Sequence, residues 1–175
     1  MDFSIKKYAH LCFEIATAKW RTATVGAAIR SLDTIDITDH VLVLRHDVDR
    51  FPRQAVALAE AECRLGLAAS YYFRIPSSFD RDAIRSIAGM GHEIGLHYEC
   101  LDQTKGDIVR AAKIFTEKLA LMRECGDVKT VSMHGNPLTK FDNRDFWRHY
   151  AFSSFDLDGE VYLSMDFRKV MYYSD

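Results

Sequence analysis

Strand-like and helix-like segments alternate along most of this 175-residue chain, and this alternation constrains its fold more than any other feature. The strand-like segments, rich in β-branched, aromatic and leucine residues, are 41–47, 68–75, 91–99 and 130–134. A helix-like segment follows each of them, and repeated strand–helix units build a parallel sheet with helices packed outside it. The sequence therefore predicts an α/β fold with right-handed crossovers.

The helix-like segments carry the usual start and stop signals. Pro52 opens the first of them at a position where its missing N–H costs nothing, and Gly66 closes it. Asp107 caps the longest one, which keeps helical spacing up to Gly126. Shorter helices are predicted at 80–89 and 142–149.

The chain, residues 1–175, is long enough for a single domain with a hydrophobic core and too short for two. We divide it into an N-terminal helical segment, a βα core and a C-terminal extension, at 1–40, 41–150 and 151–175. In the first part, residues 5–20 have helical spacing and residues 31–40 are typical of a loop. In the last part, residues 161–167 are a candidate additional strand.

The composition argues against nucleic acid and membrane partners. A formal net charge of -2 lacks the basic excess of proteins that bind nucleic acid. No apolar run is long enough to span a membrane, and the N-terminal sequence lacks the apolar stretch of a signal peptide. We therefore expect a cytoplasmic protein whose four scattered cysteines stay reduced.

Chemically active side chains occur where each strand-like segment ends. The first ends in RHDVDR, the second in FRIP, the third in GLHYE and the fourth in SMHGNP. In parallel α/β folds, ligands bind beyond the carboxyl ends of the strands. Four such endings together indicate a binding site more strongly than any one residue among them.

Alternation along each strand distributes these side chains between the two faces of the sheet. On the first strand Arg45, Asp47 and Asp49 share a face, and His46 lies opposite. On the third and fourth strands the corresponding faces carry Glu93, Gly95, His97 and Glu99, and then Ser132 and His134. Carboxylates and imidazoles can therefore converge on one site.

Each candidate also has a purely structural interpretation. Asp49 could cap the helix that starts at Pro52, and Asp47 could form a structural ion pair with Arg45. His97 could be a core histidine, and His134 could be a turn residue. Arg74 could simply pair with a carboxylate of the site. We expect His92, which follows a glycine, to be a structural histidine, and Trp20 and Trp147 to lie in the core.

At LRHDVD, GHEIGLHYE and HGNP the sequence resembles the polysaccharide deacetylases, carbohydrate esterase family 4. The resemblance covers residues 41–150, and GHEIG is its most specific fragment. It implies a parallel (β/α) barrel of the polysaccharide-deacetylase type. The barrel is expected to be incomplete or truncated, because the family's late histidine motif is not visible in this chain.

The resemblance also implies roles for individual residues. Asp47 corresponds to the general base, and Asp49 and His97 correspond to ligands of a metal ion. The family's second histidine, four positions after the first, is replaced by Leu101. His134 either supplies the missing ligand or orients Asp47. The weaker substitutes as ligands are Glu99 and Cys100.

The activity that the resemblance implies is metal-dependent removal of acetyl groups from an N-acetylated sugar or a similar small amide. One carboxylate and two imidazoles suit zinc, and three protein ligands leave a position open for water. Residues assigned to the substrate or to support of the site are Arg45, Arg74, Glu99 and Asn136. Either arginine could keep Asp47 ionised, and His134 could act as the general acid if it is not a ligand.

The alternative to an enzyme is a degenerate or truncated module that keeps the fold without catalytic activity, because the second histidine and the late motif are missing. An incomplete barrel also leaves a strand edge exposed, which predicts a homodimer.

Overall fold

The computed structural model describes residues 4–31, 41–168 and 170–173. In chain order its elements are α1 (Ile5–Thr17), β1 (Arg21–Ala23), α2 (Val25–Ser31), β2 (Val41–Val43), β3 (Arg45–Val48), α3 (Pro52–Cys63), β4 (Ser70–Phe73), α4 (Arg81–Gly89), β5 (Glu93–Tyr98), α5 (Cys100–Thr104), α6 (Ile108–Arg123), β6 (Thr130–Met133), 3₁₀ helices at Asn143–Arg148 and Phe152–Phe155, β7 (Gly159–Glu160) and α7 (Val161–Ser164). The loop expected at 31–40 lies outside the described residues except for Ser31, which ends α2. None of these helices is long and apolar enough to cross a membrane.

Every strand pair is parallel, which confirms the predicted α/β fold with a parallel sheet. Five strands form one sheet in the order β3-β4-β5-β6-β7, and β1 pairs with β2 in a separate two-stranded sheet. The order follows the chain, as successive strand–helix units produce. Within the described residues the sheet does not close into a complete barrel, since no pairing joins β7 back to the first strands.

The strand expected at 41–47 is in fact two strands. Its first half, β2, pairs with β1, whereas β3 pairs with β4. The chain changes partner at Leu44, whose carbonyl accepts a hydrogen bond from Ser70 N at 2.9 Å. The apolar run continues across this point, so hydrophobicity gave no sign of the break.

The strand expected at 161–167 was wrong. That segment begins with the helix α7, and the strand β7 lies directly before it. The Glu160 carboxylate caps α7 by accepting from Tyr162 N at 2.8 Å and Leu163 N at 3.0 Å. Aromatic and β-branched residues suggested a strand, but this cap satisfies the first N–H groups of a helix instead.

The outer face of the five-stranded sheet packs against the helices and forms the main core. The outward side chains of its central strands, all buried, are Tyr71, Phe73, Ile94, Leu96, Tyr98 and Val131. Trp147 joins an aromatic cluster beside them and donates a 2.8 Å hydrogen bond to Tyr98 Oη. Trp20 is 40% exposed, so the expectation that it lies in the core was wrong.

The other face of the sheet, called the inner face below, meets α2 at its amino-terminal end. Glu93 ties the two together, because its carboxylate accepts from Gly26 N of α2 at 3.0 Å and from Ser70 Oγ of β4 at 2.5 Å. Thr130 Oγ1 of β6 donates to the other carboxylate oxygen at 2.7 Å. This end of the inner face is therefore covered by α2, and the strands finish at the opposite end.

The absence of a side chain at Gly95 leaves room for the buried ring of Tyr72 on the inner face of the sheet. A Cβ at position 95 would stand 2.4 Å from the Tyr72 ring and 2.7 Å from the Thr130 carbonyl oxygen. Gly95→Ala should therefore lower the free energy of unfolding by about 3 kcal/mol, as overpacking does. Chemical denaturation measures this loss.

Gly89, at the end of α4, is the matched control. A Cβ there meets no heavy atom within 4 Å, so Gly89→Ala should leave stability unchanged or raise it by up to about 1 kcal/mol. Equal destabilisation by the two variants would mean that the close approach of Tyr72 is not what requires glycine.

A buried acidic network lies on the opposite face of the sheet. Glu62 of α3 is fully buried, and its carboxylate accepts from Tyr8 Oη, from Tyr71 Oη at 2.5 Å and from His46 Nε2 at 2.7 Å. Burial alone would raise the pKa of Glu62, but the hydrogen bonds from His46 and the tyrosines outweigh it and hold the pKa below its usual value. His92, as expected, is a structural histidine, with Nε2 3.0 Å from the Ala59 carbonyl oxygen.

Glu62→Gln should lower the free energy of unfolding by about 2 kcal/mol at pH 7, because an amide cannot accept all of these donors. A carboxyl group whose pKa is lowered by folding stabilises the folded protein at pH values above the pKa it has in the unfolded chain. This stabilisation is lost as the pH falls through the pKa of the folded state. The gap between wild type and variant should therefore narrow below about pH 4.5. Glu60→Gln, on the exposed face of the same helix, is the control; an equal loss there would contradict the prediction.

Candidate metal centre

Three side chains converge at the carboxyl end of the inner face. Asp49 follows β3, His97 lies near the end of β5, and His134 follows β6. The distances are 3.2 Å from Asp49 Oδ1 to His134 Nδ1, 3.1 Å from His134 Nδ1 to His97 Nε2, and 3.8 Å from His97 Nε2 to Asp49 Oδ1. Each residue comes from a different strand end, so the parallel sheet brings them together.

The backbone of β6 orients His97. Its Nδ1 lies 3.0 Å from the Ser132 carbonyl oxygen, which can only accept, so Nδ1 carries the proton. The lone pair of Nε2 then points to Asp49 and His134, which is the arrangement of a metal-ligating histidine supported by a backbone carbonyl. His97 is 4% exposed, and burial lowers its pKa although the nearby Asp47 charge opposes the shift. The ring is therefore neutral at pH 7, as a ligand must be.

The turn after β6 is fixed by hydrogen bonds to its backbone. His134 N donates to the Tyr98 carbonyl at 2.7 Å, and its own carbonyl accepts from Asn143 Nδ2 at 3.0 Å. Asn143 Oδ1 also accepts from Leu101 N at 2.9 Å, so one buried amide links this turn to α5. Sequence reasoning missed Asn143, because nothing local distinguishes it from any polar residue after a turn.

Asp49 has an oxygen that the described residues leave unsatisfied. Its Oδ1 is shielded from solvent and forms no hydrogen bond there, although two histidine nitrogens lie close to it. The structural alternative, a cap of α3, does not hold, since Phe51 is at the N-cap position and no side chain bonds the first turn. The Arg74 guanidinium lies 3.5 Å from Asp49 Oδ1 and compensates part of its charge, and a metal ion at bonding distance would compensate it more fully.

The donor set therefore fits a metal ion. Around tetrahedral zinc, bonds of about 2.0–2.1 Å place neighbouring ligand atoms about 3.3 Å apart. The observed separations of 3.1, 3.2 and 3.8 Å lie close to this value. Asp49, His97 and His134 could hold a metal ion.

Arg74 and Glu99 support the Asp49 side of the centre. Arg74 Nη2 donates to Glu99 Oε2 at 2.7 Å, and its Nη1 lies 3.5 Å from Asp49 Oδ1. Glu99 is thus engaged by Arg74 rather than directed at the ligand cluster. Cys100 lies in the core, and burial raises its pKa to about 12, so it remains a thiol and a poor ligand.

Arg45 and Asp47 form an ion pair beside the centre, on the same inner face. Arg45 Nη2 lies 3.1 Å from Asp47 Oδ2 and also donates to Tyr162 Oη at 2.8 Å and Tyr172 Oη at 3.2 Å. The other carboxylate oxygen, Asp47 Oδ1, is shielded and has no hydrogen-bond partner among the described residues. The two tyrosines were not among the predicted site residues, and their only signal was the aromatic-rich sequence after residue 160.

Asn136 lies apart from the three ligands, within the turn after β6. Its Oδ1 accepts from Leu138 N at 3.1 Å. Together with His134 it lines a hollow of about 490 Å³ that opens beside the candidate centre. A substrate could therefore approach His134 from this side.

Comparison with protein-family models, with curated proteins and with solved structures gave no match. The fold and the site together define an α/β protein with a parallel five-stranded sheet and a candidate metal centre at the carboxyl ends of its strands.

Proposed function

We propose that this protein is a zinc-dependent hydrolase that removes acetyl groups from an N-acetylated sugar. The observation that supports it most is the convergence of Asp49, His97 and His134 next to a carboxylate, Asp47, with one free oxygen. The resemblance of the three motifs to polysaccharide deacetylases supports the same reaction.

Zinc is favoured by the donor atoms. One carboxylate oxygen and two imidazole nitrogens suit it, and three protein ligands are typical of catalytic sites. A divalent ion at such a site supplies a water of lowered pKa and polarises the carbonyl of the substrate. His97 binds through Nε2 in this proposal, and His134 through Nδ1, since these nitrogens face each other at 3.1 Å.

Asp47 is the general base in this proposal. Arg45 holds its Oδ2 at 3.1 Å, which fixes the carboxylate and leaves Oδ1 to accept the proton of the attacking water. His134 acts as a ligand and therefore takes no part as the general acid, so in this proposal Asp47 returns the proton that it took from water to the leaving amine. Arg74 holds Asp49 in position through its link to Glu99.

Acetate release tests the proposal. Purified protein is loaded with zinc, and acetate is measured after incubation with oligomers of N-acetylglucosamine, with Asp49→Ala as the inactive control. Release by wild type alone supports the hydrolase.

A second candidate function follows from Leu101. It is buried in the core at the position where the family has its second metal-binding histidine. Stoichiometric zinc binding without acetate release from any N-acetylated sugar would favour this candidate, a deacetylase-fold module without activity.

A further inference from the structure

The Arg45–Asp47 pair carries unsatisfied polar atoms that the proposed chemistry uses only in part. Arg45 Nη1 and Asp47 Oδ1 are both shielded from solvent and have no hydrogen-bond partner among the described residues. A buried donor without a partner costs about 1–3 kcal/mol. The proposed general base uses Asp47 Oδ1, so Arg45 Nη1 remains as a donor without an assigned acceptor.

Two tyrosines cover this guanidinium, and they are held very differently. The Tyr162 ring lies 4.9 Å from the guanidinium carbon, and Tyr162 belongs to α7 and packs against a buried cluster. The Tyr172 ring lies farther away, at 5.8 Å, and its Oη accepts a longer hydrogen bond of 3.2 Å. Tyr162 is thus held by packing against buried residues, whereas Tyr172 contacts the site from the protein surface.

Tyr172 has little to hold it in place. It is 52% exposed and lies outside every helix and strand, and its neighbours Met171 and Tyr173 are each 81% exposed. Among the described residues, its other ring contact is an edge-on approach to Phe167 at 5.7 Å. Segments with few buried contacts open at low free-energy cost.

We propose that Tyr172 is a displaceable cover over Arg45, and that a neutral sugar takes its place. This inference rests on the proposed function, whose substrate class it narrows. The Tyr172 hydroxyl accepts a hydrogen bond from Arg45 Nη2, and in this proposal a sugar hydroxyl accepts it instead, while Nη1 donates to a second sugar oxygen.

The charge of the pair selects the ligand. Asp47 already balances the positive charge of Arg45 at 3.1 Å, so an incoming carboxylate gains no net attraction and meets the Asp47 charge. A hydroxyl or carbonyl oxygen accepts from Nη1 without that repulsion. An uncharged N-acetylated sugar is therefore preferred over an acidic one.

Binding to the metal-free protein tests this inference without any turnover. Dissociation constants are measured by calorimetry for the N-acetylglucosamine tetramer, and also for the N-acetylglucosamine monosaccharide and N-acetylmuramic acid, a monosaccharide that carries a carboxylate. Tyr172→Ala should bind the neutral tetramer about fivefold more tightly than wild type, because the sugar no longer has to displace the tyrosine side chain, at a free-energy cost of about 1 kcal/mol. Tyr173→Ala, at the exposed neighbour, should leave the constant within about twofold.

Tyr172→Trp provides an independent readout. Its emission, corrected for wild type, should shift to longer wavelength when the tetramer is added, because displacement exposes the ring to water. Tetramer binding by Tyr172→Ala that is unchanged or weaker would overturn the proposal that Tyr172 is displaced. An emission of Tyr172→Trp that does not shift would overturn it as well.

The remaining outcomes separate the inference from the enzyme proposal. Binding of N-acetylmuramic acid as tight as that of monomeric N-acetylglucosamine, or tighter, would overturn the preference for neutral sugars. Absence of binding by any of these sugars would overturn the inference altogether. In either case acetate release from another N-acetylated compound would still support an amide hydrolase. Conversely, sugar binding that follows the expected pattern without any acetate release would support the proposed sugar site and contradict the proposed hydrolase activity.

Discussion

Asp47→Asn should leave zinc bound and lower acetate release about 1,000-fold, which is the usual scale for loss of a general base. The asparagine keeps the size of the side chain and can still accept a hydrogen bond from Arg45 through its oxygen. It cannot take a proton from the attacking water, because an amide is not basic. Metal content by mass spectrometry and acetate release by enzymatic assay measure the two effects on one sample.

Asp82→Asn, which makes the same chemical change at an exposed position of α4, is the control and should change neither quantity. Acetate release within tenfold of wild type in Asp47→Asn would show that the base is another residue. Loss of zinc would instead assign Asp47 to the metal.

The fold could be predicted from the sequence where the pattern was long. The patterns of strands β4, β5 and β6 and of the long helices α3 and α6 extend over enough residues to be recognised, and the parallel order of the strands follows from the alternation. The same alternation predicted that Asp47, Asp49, His97 and His134 lie at one end of the sheet, whereas the choice of Asp49, His97 and His134 as metal ligands came from the resemblance to polysaccharide deacetylases. Their placement needed only the rule that parallel strands finish at one edge.

Other parts could not be predicted, because tertiary contacts determine them. The strand β1 has three residues, too few to show any period, and it exists because β2 pairs with it. The carbonyl that orients His97 comes from Ser132, 35 positions later, and a backbone carbonyl has no sequence signature. Tyr172 reaches Arg45 across 127 positions, so only the folded chain reveals that contact.

Loss of a metal ligand should have the other large effect. Asp49→Ala and His134→Ala should each weaken zinc binding at least about 100-fold, since even changes in supporting residues cost about 10–100-fold. Asp49 supplies the only negative charge of the cluster and its one unsatisfied oxygen, so its removal should abolish stoichiometric binding. Competition with a chromophoric chelator measures these affinities.

His149→Ala is the matched control for His134→Ala, because His149 is exposed and lies after a 3₁₀ helix, outside the cluster. Zinc affinity that is unchanged in His134→Ala would remove this histidine from the centre. The third ligand would then be sought in Glu99, which would have to give up its hydrogen bonds from Arg74 Nη2 at 2.7 Å and from Gln103 Nε2 at 3.0 Å. Cys100 is the less suitable replacement, since burial keeps its sulfur protonated, and a thiolate is what zinc requires. The geometry therefore makes His134 the residue whose replacement decides whether the three strand ends form one metal centre.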